Sequence, residues 1–184
     1  MDASYLPSVK KQFEYYKLLG DKTFTQLTEN QFFWLPNIDD NSIAIIAKHV
    51  AGNMKSRWTN FLTEDGEKEW RNRDDEFINS FTTKEEVIAY WEMGWKCLLE
   101  AIDSINENNQ NTIVYIRNHG HTITEAINRQ LCHYSYHIGQ IVFLGKLLLG
   151  YDFQSLSVPK GTSKEYNNEK FSKEKRRTHF TEDL

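Results

Sequence analysis

Apolar side chains recur every three or four residues along four separate stretches of this chain, and that spacing fits one regular backbone, the α-helix. The first stretch, Tyr5–Leu27, carries Leu6, Val9, Phe13, Tyr16, Phe24 and Leu27, with Gly20 falling on the same stripe. Pro7 stands in its first turn, where a missing N–H costs little. The second opens at Asn41 or Ser42, either a suitable N-cap. It runs to about Leu62 through Ile45, Ile46, His49, Val50, Met54, Trp58 and Phe61. The third opens on a capping box, Thr82 with Glu85 or Thr83 with Glu86, and continues through Val87, Tyr90, Trp91, Gly94, Leu98, Ala101 and Ile105. The fourth opens on Thr122 with Glu125 and runs to about Leu149, where Gly150 fits a C-terminal cap. Nine glycines and three prolines in 184 residues are about half the usual share, as long helices require. Four such helices predict an all-α fold, a four-helix bundle.

The remaining segments are expected to be connections. Thr28–Asp40 reads as a loop whose Phe32, Phe33 and Trp34 cap one end of the core. Thr63–Phe81 mixes acidic and basic residues and reads as a solvated loop. Thr112–Arg117 (TIVYIR) is β-branched and aromatic, an extended segment or a small hairpin strand, followed by a turn at Asn118–His121. Tyr151–Leu184 is polar and reads as an extended tail lying over the bundle and fraying at its end. Residues 1–150 therefore form the bundle and residues 151–184 the extension.

A formal net charge of −4 argues against a protein held to nucleic acid by phosphate contacts. The best apolar run, Ile141–Leu144, soon meets Lys146 and falls far short of the roughly 20 residues of a membrane span. The N-terminus has no apolar core of signal-peptide length, so a cytoplasmic protein is expected. Cys97 and Cys132 form no CxxC pair and are expected to be reduced. There is no glycine-rich phosphate loop, no GxSxG elbow, no HExxH and no Glu-x-x-His pair.

The sharpest chemical signal is His133-Tyr134-Ser135-Tyr136-His137. Histidines four apart lie one turn apart on one helix face, where two imidazoles chelate one cation. The stripe Ala126, Gln130, His133, His137, Ile141, Leu144 and Leu148 turns both towards the core. Two readings stand: a metal on one ring nitrogen with an acceptor on the other, or core histidines satisfied by a carbonyl or a tyrosine. His49 adds a third histidine on an apolar patch of the second helix, with Gly52 leaving room beside it. Three imidazoles with a position left open are the arrangement of catalytic zinc and similar ions. Asn53, His121, Arg129 and Gln140 are candidates for supporting or substrate contacts, Arg129 facing an anionic substrate or an acidic neighbour. His121 is alternatively an extra ligand. His119 and His179 read as exposed, and Cys132 points away from His133. Trp34 and Trp70 either wall a pocket or pack in the core.

On HVAGN (His49–Asn53) and HYSYHIGQIVFLGKLL (His133–Leu148) the sequence resembles the DinB/YfiT superfamily of damage-inducible-B-like metalloenzymes, in particular an uncharacterised DinB-like subfamily. The resemblance implies up-down-down-up helix order with a long crossover between the second and third helices. It implies a divalent metal, nickel or zinc, on the residues matching the family's histidines, His49, His133 and His137, and a homodimer. Relatives in that superfamily include S-transferases using bacillithiol or mycothiol and a mycothiol-dependent maleylpyruvate isomerase. A metal-dependent enzyme activating water or a low-molecular-weight thiol against a small molecule is the function expected, as a thiol S-transferase or a hydrolase. The alternative is a non-enzymatic metal- or ligand-binding dimer serving a stress response. The catalytic residues are left open.

Overall fold

The computed structural model describes residues 4–183, so the outer ends of the two expected segments, residues 1–3 and 184, lie outside the described residues. The chain is mostly helical with one small two-stranded sheet. Its elements are α1 (Tyr5–Phe24), α2 (Glu29–Phe32), α3 (Ile43–Trp58), α4 (Lys84–Asp103), β1 (Ile113–Ile116), β2 (His119–Thr122), α5 (Ile123–Leu149) and α6 (Ser163–Phe171). The four expected helices are α1, α3, α4 and α5, and the starts of the last three follow the cap chemistry. Ser42 accepts from the Ile45 N–H at the head of α3. Thr83 with Glu86, rather than Thr82 with Glu85, forms the box of α4, and Thr122 with Glu125 that of α5.

Three helices end earlier than their apolar stripes, α4 at Asp103, two residues before the buried Ile105. α1 stops at Phe24 because Thr28 and Gln31 form a new capping box and start α2, a single turn. α3 stops at Trp58, and Asn60 then takes a left-handed φ of 47°. Leu27 and Phe61 remain buried all the same, so the stripe outlasts the helical backbone.

α3 packs on α4 and on α5, and α1 on α5 and α4. Gly94 permits a close approach of α4 to the α3 backbone: a Cβ there would lie 2.7 Å from the Ala51 Cα. Gly20 leaves room for Trp91, whose Cζ2 would sit 2.8 Å from an added Cβ. Trp91, Trp95, Phe13, Phe24 and Tyr134 are fully buried, with Trp91 and Trp95 edge to face at 5.3 Å. Aromatic residues of this size bury about 150–250 Å² each and dominate the core. Phe32 is fully buried and Phe33 packs on the core, as expected of a cap, but Trp34 is exposed.

Two connections differ from expectation. β1 and β2 pair antiparallel, Ile113 with Thr122 and Ile116 with His119, so the tight turn is Arg117-Asn118 and His119–His121 belong to a strand. Arg117 and Asn118 take φ of 54° and 62°, the left-handed pair that suits a two-residue hairpin. Asp65 holds the turn by accepting both of their N–H groups, each at 2.8 Å. The charged stretch 63–81 is not a solvated loop: Lys68 and Glu76 are buried, as is the Arg71 side chain, and residues Asp74–Phe77 form a 3-10 turn against α3. Beyond α5, Gly150 takes φ 57° and ends the helix. The tail is not extended throughout. It forms the surface helix α6, which buries no residue, and a 3-10 turn at Phe180–Asp183 against α1. Among the described residues no helix is long and apolar enough to cross a membrane.

Candidate metal centre

α5 presents His133 and His137 one turn apart, and α3 brings His49 across to them. The deepest line of α5 runs through Ile127, Gln130, Tyr134, Ile138 and Ile141. The two histidines flank that line half-buried, rather than lying on it as the stripe predicts, while His49 is 4% exposed. Flanking the core leaves one side of the trio facing out. One nitrogen from each ring falls within 4.8 Å of the others. His133 Nε2 and His137 Nε2 are 3.1 Å apart. Zinc–imidazole bonds of roughly 2.0–2.1 Å at the tetrahedral angle put two nitrogens about 3.3 Å apart, so this pair fits a shared cation without rearrangement.

The opposite ring nitrogens are tied down. His49 Nδ1 donates to Glu76 Oε2 at 2.8 Å, and His137 Nδ1 donates to the Gln140 side-chain oxygen at 2.8 Å. Neither acceptor has a proton to give, so Nδ1 carries a hydrogen in both rings and Nε2 is the nitrogen left for a cation. Two chemistries then satisfy the His133–His137 contact: an N–H···N bond from His133, or a cation between two lone pairs. Burial, then repulsion from His137, His49, Arg57 and Arg71, pushes the His133 pKa down to about 3. Burial also lowers that of His137, against the Gln140 hydrogen bond. Both rings are neutral at neutral pH, the form that ligates metals.

Glu76 is itself built in. Arg71 forks its carboxylate, Nε to Oε1 at 2.8 Å and a terminal nitrogen to Oε2 at 2.9 Å. Burial alone would raise the carboxyl pKa, but the hydrogen bonds from His49 and Arg71 outweigh it and hold the group below the usual range. The carboxylate lies against Gly52, where a Cβ would meet Oε1 at 2.5 Å. Phe77 stacks on His49 at 4.7 Å.

A family model described as a protein of unknown function (DUF1572) matches residues 1–162. The chain belongs to the DUF1572 family. The match takes in the three histidines, Glu76 and Gln140 of this DUF1572 chain and ends just before α6. No curated protein matches it.

The other expected residues divide. In the DUF1572 chain, Gln140 supports His137 as described. Asn53 accepts from the buried Tyr134 hydroxyl at 3.1 Å, and Trp58 Nε1 donates to that hydroxyl at 3.2 Å, so Asn53 anchors the core while also edging the cavity beside the trio. His121 is not brought to the trio: its Nδ1 donates to the His119 carbonyl, and its Nε2 accepts from Arg129 at 3.2 Å. Arg129 edges the cavity together with His49 and His133. Cys132, Trp34 and Trp70 are exposed, and neither tryptophan walls the cavity or packs in the core. A larger groove of about 670 Å³ lies between residues 58–63 and α4, away from the histidines. Sequence reasoning missed Glu76 and Arg71. The available signal was Gly52, a glycine inside a helix three residues past His49, which marks a close approach by another group.

Proposed function

We propose that this DUF1572 protein is a metal-dependent enzyme of the DinB-like kind, holding a divalent cation, nickel or zinc, on His49, His133 and His137. The observation that carries the reading is the convergence of three imidazoles, two with Nδ1 fixed to a dedicated acceptor. Those acceptors orient the rings and raise their basicity, which a merely packed core histidine does not require. When bound, the cation supplies Lewis acidity that lowers the pKa of a water or of a low-molecular-weight thiol such as bacillithiol or mycothiol. The chain's own part is to hold the rings, to shield His49 on the Phe77 side and to leave His49 and His133 open towards the cavity. The product class is that of a thiol S-transferase or a hydrolase acting on a small molecule.

The same reading takes α1, α3, α4 and α5 as a four-helix bundle in up-down-down-up order, with residues 59–83 as the long crossover. It takes a second copy of the chain as partner, supported by the exposed apolar strip Tyr136, Phe143 and Leu147 on α5. A cytoplasmic site of action and the absence of nucleic acid and membrane partners complete it.

The test is elemental analysis of protein purified without chelator, for the wild type and His137→Ala, followed by turnover assays with thiols and model electrophiles. The expected result is one cation per chain, lost in the variant, and turnover that follows the metal. Full retention of metal in His137→Ala overturns the assignment. A stoichiometric metal with no turnover under any thiol or electrophile favours a non-enzymatic binding module instead.

A further inference from the structure

The cavity on the open side of the trio, about 210 Å³, is edged by five arginines, Arg57, Arg71, Arg73, Arg117 and Arg129, and by no carboxylate. The chain as a whole is acidic, so this clustering does not follow from its composition. The five charges are unequally matched. Arg71 forks Glu76 and also reaches Glu67, to which Arg57 and Arg117 also turn at 3.1 and 3.2 Å. One carboxylate thus serves three guanidiniums. Among the described residues Arg73 and Arg129 pair with no carboxylate. Arg73 lies over the Phe77 ring at 5.0 Å, and Arg129 donates to His121 Nε2.

The volume lies below the roughly 300 Å³ at which pockets for drug-sized ligands begin, which keeps the occupant small.

We propose that the cavity binds a small carboxylate substrate, with Arg73 and Arg129 taking the anion. The assignment rests on the metal-centre reading for what happens to the substrate, because His49 and His133 edge the same cavity. Recognition of the anion rests on the arginines alone. Planar guanidiniums suit carboxylate oxygens.

The experiment is calorimetric titration of the metal-containing protein with glycolate and glycolamide, with metal content read separately by elemental analysis. Glycolate is expected to saturate. Glycolamide, lacking the charge, is expected to bind about tenfold weaker or worse, the scale of losing one charge-assisted hydrogen bond. Arg73→Gln and Arg129→Gln, both at exposed positions, should each weaken glycolate by about tenfold with metal content unchanged. Equal binding of glycolate and glycolamide, or unchanged glycolate affinity in the double arginine variant, overturns the proposal. His137→Ala separates the two readings. Retained metal in that variant counts against the metal centre alone, and lost metal with retained glycolate binding supports the anion site on its own.

Discussion

Gly52→Ala tests the join between α3 and the crossover, because two opposed effects of known size meet there. In a helix interior alanine is favoured over glycine by about 1 kcal/mol, so propensity alone predicts a more stable protein. The added Cβ, however, would lie 2.5 Å from Glu76 Oε1 and 2.9 Å from its Cδ, whereas ordinary contact begins at 3.4 Å. The carboxylate must withdraw by about 0.9 Å, more than the 2.8 Å bonds to His49 Nδ1 and Arg71 Nε can both follow. Removing one partner from a buried ion pair costs about 3–5 kcal/mol. Displacing it costs less, and against the helix gain we expect a net loss of about 1–2 kcal/mol. At this chain length that is roughly 2–8 °C in Tm. Metal affinity should fall by about 10–100-fold, the usual consequence of losing the group that orients a ligating histidine. Thermal melts of metal-free protein read the first quantity and competition with a chelator the second. Glu76→Asp, one methylene shorter, should recover part of both losses in the Gly52→Ala background. A higher Tm with unchanged metal affinity in Gly52→Ala would refute the claim that Glu76 holds His49 from this position.

Gln140→Leu removes the acceptor of His137 Nδ1 at a half-buried site, so metal affinity by chelator competition should drop about tenfold with little change in Tm. The metal-free protein should lose stability as pH falls from 6.5 towards 3. The unfolded chain protonates His133 near its ordinary 6.5, whereas the folded one resists to about 3, so the unfolded state binds more protons throughout that window. Chemical denaturation against pH measures this, and His133→Gln should flatten the slope. Gly20→Ala should destabilise by about 1–2 kcal/mol in denaturant titration, because overpacking against Trp91 outweighs the helix gain.

The helices and the histidine trio were legible because both are periodic. Three-four apolar spacing marks α1, α3, α4 and α5, cap residues add the starts of the last three, and the same count puts His133 and His137 together on α5. What escaped is contact between distant segments. Glu76 reaches His49 across 27 residues, from a stretch whose mixed charges look solvated; nothing local distinguishes it from Asp74 or Asp75, which are exposed. The buried side chains of Lys68 and Arg71 were hidden for the same reason: their partners, Glu64 for one and Glu67 with Glu76 for the other, make burial tolerable, and pairing is a tertiary property. The hairpin turn was misplaced because Arg117 takes a left-handed φ that its side chain disfavours. Only Asp65, 52 residues earlier, makes that conformation worthwhile.

Asp65 gives the crossover a second anchorage. Beside it the Gly66 N–H donates to the Tyr115 carbonyl at 2.8 Å, and further along the same segment Glu76 grips an imidazole. A strap fastened at both ends does not peel from one. Opening the histidine centre by swinging the crossover outward must also release the two turn amides, so the deuterium uptake of Arg117 and Asn118 should register events at His49, a residue to which neither is joined.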